Sequence, residues 1–243
     1  DKIYIVEQVG KGKGLVRVFS RQLEREFELE PDLLHPLIKG GDSKRYCLTR
    51  TNRLILFPYA NAELIPEPEL KKRWPLTWRY LKANKEALET REDGAMKGDR
   101  WFGYGRTQAL DVMTLPKLFT PDIAPSASFS FDSTGDSFFT GGVAGGYGIL
   151  VQQPYRPEFI LGVLNSRLTD FFHHKIATQM RGGWFSYESR FIRQLPIRPI
   201  DFGVAAERAE HDALVNLVDQ ILAAKRDNPA ADVSAWEREI DER

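Results

Sequence analysis

Three short stretches of this chain combine cations with glycines or aromatics, the side-chain set that grips phosphates and nucleobase edges. Lys39-Gly-Gly-Asp-Ser-Lys-Arg45 places three cations and two glycines within seven residues, so backbone amides and side chains can both reach phosphate oxygens. Arg100-Trp-Phe-Gly-Tyr-Gly-Arg-Thr-Gln108 interleaves two arginines with Trp101, Phe102 and Tyr104. A guanidinium can hold a guanine edge with two hydrogen bonds, an amide such as Gln108 can do the same for adenine, and the aromatics can stack or wedge. Arg181-Gly-Gly-Trp-Phe-Ser-Tyr187 repeats that chemistry: a cation, a flexible pair, then aromatics. A competing structural reading makes Trp101, Phe102 and Phe185 core residues with arginines laid over them. Gln108 and Trp184 are equally suited to pinning their loops to the core.

Residues that imitate active sites fare worse. Gly10-Lys-Gly-Lys-Gly14 is basic and glycine-rich but lacks the spacing of a phosphate-binding P-loop, so it reads as a turn between strands. Asp32 with Glu69-Leu-Lys71 imitates the acids and lysine of metal-dependent nucleases, yet Glu69 sits among prolines at a helix start. His173 and His174 are adjacent and therefore point about 100° apart on a helix, unlike an i, i+4 metal-binding pair. Cys47 has no nearby histidine to make it a nucleophile.

The elements that must position these residues follow from hydrophobic periodicity. Ile3 to Glu7, Leu15 to Phe19, Glu26 to Glu30 and Leu54 to Phe57 read as strands, and a helical stretch runs from the prolines at 66, 68 and 75 to about Arg91. Lys117 to Thr120, Ser128 to Phe131 and Tyr147 to Val151 resume the strand pattern around a Ser/Gly-rich stretch of turns. Pro157 starts an amphipathic helix through Phe172, and a short helix is predicted near Ser189 to Leu195. His211, Leu214, Val215, Val218, Ile221 and Leu222 share one face of a long helix, and Val233, Trp236 and Ile240 mark a last one. The expectation is an α+β fold: a mixed β-sheet body over residues 1–200 with flanking helices, then a helical appendage over 201–243. The start at Asp1 and the uncapped final helix suggest a piece of a longer chain.

The 243 residues carry 34 basic and 34 acidic side chains. That neutrality excludes a uniformly cationic DNA packer, but it is an average. Residues 201–243 hold eleven acids against five bases, a net of −6, so the first 200 residues carry +6. Opposite charge on two parts of one chain fits a phosphate-facing body with an acidic appendage. Apolar runs reach about six residues, far short of the roughly twenty a membrane helix needs, and no signal peptide is visible. With a single cysteine, Cys47, the chain is compatible with a reducing compartment, and the expected location is the cytoplasm.

His35-Pro-Leu-Ile-Lys-Gly-Gly-Asp-Ser-Lys-Arg-Tyr46 followed by Arg53-Leu-Ile-Leu-Phe-Pro-Tyr59 resembles the opening of the TaqI-like C-terminal specificity domain, the target-recognition module of type IIG restriction-modification enzymes and adenine-specific DNA methyltransferases. The likeness continues in order through Trp78-Arg-Tyr-Leu-Lys82, Tyr104-Gly-Arg-Thr-Gln108, Pro116-Lys117, Leu161-Gly-Val-Leu-Asn-Ser-Arg-Leu168, Met180-Arg-Gly-Gly-Trp-Phe185 and Gln194-Leu-Pro-Ile197. It extends to the closing helices at Leu217 to Leu222 and Trp236 to Asp241. The resemblance implies a module that reads double-stranded DNA for a catalytic methyltransferase domain on the same or a partner chain.

No Pro-Pro dipeptide occurs here to supply that domain's Pro-Pro-aromatic motif, and no strand with a glycine loop for S-adenosylmethionine is evident. No cofactor is therefore expected in this part. S-adenosylmethionine, and Mg²⁺ if a nuclease is fused, belong to the parent enzyme. Under this reading Lys39, Lys44, Arg45 and Lys117 contact phosphates, Arg106 and Gln108 reach base edges, and Arg181, Trp184 and Tyr187 form a second recognition loop. The rivals are a protein-interaction scaffold docking through the 204–243 helices, and a metal-dependent nuclease built on Asp32 and Glu69.

Overall fold

The computed structural model describes residues 2–142 and 144–243. The protein is α+β, as expected, with helices and β-ladders in both halves. It divides into two compact units, each discontinuous in sequence. Unit 1 takes the chain up to Leu37, then Arg50–Thr114 and Asp136–Phe138; unit 2 takes Ile38–Thr49, Leu115–Gly135 and Phe139–Arg243. The division does not follow the expected boundary at residue 200.

Unit 1 is organised on a six-stranded sheet in the order Phe138–Phe139, Leu34–Ile38, Arg53–Leu56, Ile5–Gly12, Leu15–Ser20, Arg25–Leu29. Four of these strands carry the expected alternation or apolar run. Leu34–Ile38 does not, because Pro36 has no N–H to give a ladder. It survives because its main partner is Arg53–Leu56 on one side, where Pro36 faces Leu54, while only a two-residue strand lies on the other. Helices α1 (Glu67–Arg73), α2 (Pro75–Ala83) and α3 (Lys85–Glu89) replace the single predicted helix. Pro75 drives Trp74 out of helical geometry, to φ −132° and ψ 62°, and breaks the run there. The core packs Val6, Val18, Leu29 and Leu56 of the sheet against Leu70, Tyr80, Leu81 and Leu88 of the helices. Tyr80 ties the layers polar-wise too, donating to the Ile3 carbonyl at 2.5 Å with Ser20 Oγ at 3.1 Å.

Unit 2 has a three-stranded antiparallel sheet with Lys117–Pro121 between Ser130–Asp132 and Gly146–Ile149. Its helices are α4 (Pro157–Asn165), α5 (Arg167–Ile176), α6 (Ser189–Ile192), α7 (Ala205–Asp227) and α8 (Ser234–Glu242). The stretch Leu161 to Leu168, read as one helix from sequence, turns at Ser166, where ψ is 152° and the side chain accepts the Thr169 N–H.

The small and polar residues of that stretch each have a packing task. Gly162 lets α7 approach, since a Cβ there would lie 2.5 Å from Leu214 Cδ2 and 2.9 Å from Val218 Cγ2. Asn165 is fully buried and pairs both ways with Phe129, its Nδ2 donating to the carbonyl at 2.9 Å and its Oδ1 accepting the N–H at 3.1 Å. The helices beyond 201 are thus not an appendage. His211, Leu214, Val215, Val218 and Ile221 of α7 bury in the same core as Phe159, Leu161 and Leu164 of α4. Acids of this region are spent inside the unit: Glu237 pairs with Arg45 at 2.7 Å, and Asp241 with Arg167 at 2.7 Å.

Gly162→Val should overpack the α4–α7 contact and cost about 1–3 kcal/mol. Asn165→Ala should strand the buried Phe129 N–H and carbonyl and cost at least about 2 kcal/mol. Urea melts followed by circular dichroism check both, against a surface control such as Arg193→Ala that leaves stability unchanged.

Candidate nucleic-acid interface

In unit 1 the aromatic half of the 100–108 stretch is core and the cationic half is surface. Trp101 and Phe102 are buried, with Trp78 packed against both rings. Tyr104 is half-buried, donating its hydroxyl to the Leu56 carbonyl and its N–H to the Tyr59 hydroxyl, both at 2.5 Å. The carbonyls of the turn are collected by two side chains that sequence reading passed over. Arg91 Nη2 donates to Trp101 and Gly103 at 2.9 Å each, and Tyr4 donates to Phe102 at 3.0 Å and Gly103 at 2.8 Å. Burial pushes the Tyr4 and Tyr104 hydroxyls well above the usual phenol range, so both remain protonated donors. The wedge role considered for these aromatics is therefore not theirs. Past this fixed base, Arg106, Thr107 and Gln108 are exposed, as is Arg100.

In unit 2 the 178–187 segment forms a hairpin-like loop. Ser186 N–H donates to the Thr178 carbonyl at 3.0 Å and Met180 N–H to Trp184 at 2.7 Å. Gly182 and Gly183 follow with φ of 75° and 78°, a left-handed pair that side chains with a Cβ resist. Arg181 and Trp184 stand exposed at this tip, Trp184 at 42%. The loop's base is bolted to α5: Phe185 stacks on His174 with centroids 3.8 Å apart, and Tyr187 stacks on His173 at 4.0 Å. Asp170 Oδ1 accepts from the Tyr187 hydroxyl at 3.0 Å and from the Ala127 N–H at 2.7 Å. The two histidines work as flat apolar platforms, and His173 is buried. Desolvation, helped by its neighbour His174 and opposed by Asp170, lowers the His173 pKa to about 4.

The 39–45 stretch is also held from within. Asp42 accepts the Lys39 N–H at 2.7 Å, and Ser43 Oγ donates to the Ser128 carbonyl at 2.7 Å. Gly40 sits where a Cβ would come within 2.8 Å of the Gly145 carbonyl oxygen. Lys39 and Lys44 are exposed.

Three of the sequence-assigned contacts are placed elsewhere. Lys117 is buried on the central strand of its sheet and pairs with Asp132 at 2.9 Å, both side chains 3% exposed or less, so it does not face a phosphate. Tyr187 is 1% exposed and supports the loop rather than displaying itself on it. Arg45 is half-buried against Glu237 of α8. What remains on the surface is Lys39, Lys44, Arg181 and Trp184 in unit 2, and Arg106 and Gln108 in unit 1.

The nuclease pattern does not assemble. Asp32 accepts the Trp74 indole N–H at 3.1 Å, Glu69 pairs with Arg73 at 2.8 Å, and Lys71 pairs with Glu67 at 2.5 Å. Among the described residues no three His, Cys, Asp or Glu side chains gather as metal ligands, and no helix is long and apolar enough to cross a membrane. No protein-family model matches the chain, and no curated protein matches it. The likeness to the TaqI-like specificity domain thus rests on the ordered motifs alone.

Lys117→Ala should remove the ammonium that faces the buried Asp132 carboxylate and cost about 3–5 kcal/mol, whereas Lys117→Met combined with Asp132→Leu should recover most of that loss in denaturant melts. Because His173 is neutral in the fold down to about pH 4 but titrates near 6.5 when unfolded, the unfolded chain binds the extra proton between those values. Stability is then full above about pH 6.5 and falls as pH drops toward 4, by about 2 kcal/mol between pH 7.5 and 5. His173→Phe should flatten that part of the stability–pH curve.

Proposed function

We propose that this protein is a sequence-specific reader of double-stranded DNA, the recognition part of an adenine-N6 methyltransferase or restriction-modification enzyme, which positions a catalytic domain on its target. The observation that carries the reading is the bolted loop of unit 2. A rigid base of stacked rings, a left-handed Gly182-Gly183 turn, and an exposed arginine and tryptophan at the tip suit a groove-entering element better than a solvent loop, which needs no such anchoring. The 100–108 loop of unit 1 has the same construction: a hydrogen-bonded aromatic base and an exposed Arg106-Thr-Gln108. Lys39 and Lys44 supply sequence-independent phosphate contacts. Methyl transfer by S-adenosylmethionine, and any Mg²⁺-dependent cleavage, belong in this reading to the catalytic part.

The scaffold alternative loses its main support, since the inward faces of α7 and α8 are occupied by unit 2 itself.

Selection from a random duplex pool, followed by binding titrations on the enriched site, tests the proposal. Arg181→Ala and Arg106→Ala should each cost about 1–3 kcal/mol on the enriched site and little on random duplex. Lys39→Ala and Lys44→Ala should weaken both DNAs alike and lower the slope of log affinity against log salt by about one per contact. No enrichment, together with no duplex binding at low salt, would refute the reading.

A further inference from the structure

The outer face of α5 is unpartnered within unit 2 and strongly apolar. Leu168 is 76% exposed, Phe171 61% and Phe172 36%, and their spacing of three and four puts them on one side of the helix. Lys175 completes that side one turn on, its ammonium 4.9 Å over the Phe171 ring. The chain then runs directly into the loop that exposes Arg181 and Trp184. Large apolar groups this exposed and this clustered mark a contact surface.

The charge of the segment narrows what fits there. From Arg167 to Trp184 the chain has three cations, of which Arg167 is paired with Asp241 of α8, leaving Lys175 and Arg181; its one carboxylate, Asp170, is turned inward to the Tyr187 hydroxyl and the Ala127 N–H. The segment's surface therefore shows aromatic and aliphatic groups with cations and no exposed anion. Its complement is a polyanion that also offers flat apolar faces, which describes nucleobases lifted out of a regular stack beside their phosphates.

We infer that the α5 face is a platform for unstacked bases, so that the protein prefers DNA that is kinked or locally unpaired over uniform duplex. The inference rests on the DNA-binding reading above and adds to it the state of the DNA. In a regular duplex the bases are stacked on each other and cannot lie on Phe171 or Leu168. At a mismatch or bulge the unstacking cost is already met, and each base that stacks on an aromatic side chain strengthens binding by roughly tenfold.

The test compares the full chain on fluorescein-labelled 24-mer duplexes that are fully paired or carry a central two-base bulge, with 2-aminopurine in the bulge as a second readout. The bulged DNA should bind about tenfold more tightly, with quenching of the 2-aminopurine signal. Leu168→Ala combined with Phe171→Ala should abolish that preference and leave paired-duplex affinity within about twofold, while Phe171→Tyr, which keeps the ring, should retain it. Equal affinity for the two DNAs, or a preference that survives the double substitution, overturns the platform but leaves the duplex-reading function standing. Failure to bind either DNA at low salt defeats that function and the platform with it. Cosedimentation with phosphatidylserine vesicles that is lost in the double variant, or a dimer in analytical ultracentrifugation that the double variant dissolves, assigns the face to lipid or to a second copy and overturns the inference.

Discussion

The carboxylate of Asp170 has to find its partners inside unit 2, and much of that unit's surface follows from the way it does. By accepting from the Tyr187 hydroxyl and the Ala127 N–H it fixes the end of the 178–187 loop to α5 and to the segment leading into the Ser130–Asp132 strand. The same contacts hold that carboxylate in from the surface that carries Lys175 and Arg181, while Arg167 is paired with Asp241. The stacked pairs His173–Tyr187 and His174–Phe185 complete the joint with flat contacts.

The elements themselves were largely legible. Alternation placed most of the long strands within a few residues, and the three-and-four spacing of Leu214, Val215, Val218 and Ile221 gave α7 its buried face. Local geometry that overrides periodicity was not legible: Trp74 before Pro75 and Ser166 after Asn165 each interrupt a continuous hydrophobic pattern. Side-chain assignments failed where the deciding partner is distant in sequence. Nothing near Lys117 reveals that Asp132 will sit opposite it across a ladder, nor that Glu237 will meet Arg45, and a cation in a strand or loop reads alike whether it faces solvent or a buried carboxylate. Signals for Arg91 and Asp170 were fainter still, since Arg91 acts on backbone carbonyls and Asp170 on a backbone N–H as well as the Tyr187 hydroxyl, and backbone groups leave no trace in residue type.

The aromatics of the 100–108 and 178–187 loops show the same division of labour. Trp101, Phe102 and Tyr104 lie immediately before Arg106, and Phe185 and Tyr187 immediately after Trp184, so each loop carries its own anchor beside its displayed residues. A sequence reader sees cations interleaved with rings and assigns them one role, whereas the fold turns the rings inward and leaves mainly the cations outward. Binding chemistry and packing chemistry are here one motif read from opposite sides.

The two units are woven rather than strung. The chain passes between them five times, at residues 37, 49, 114, 135 and 138. Neither unit is a contiguous cassette, so a crossover in a gene or a single cut in the chain cannot transplant one without carrying pieces of the other. Each unit must also close loops around the excursions that build its neighbour, which raises the sequence separation of its contacts and slows folding relative to a chain of the same size built from consecutive segments. Substitution is least disruptive at the exposed loop tips, Arg106 to Gln108 and Arg181 to Trp184, which take no part in either core.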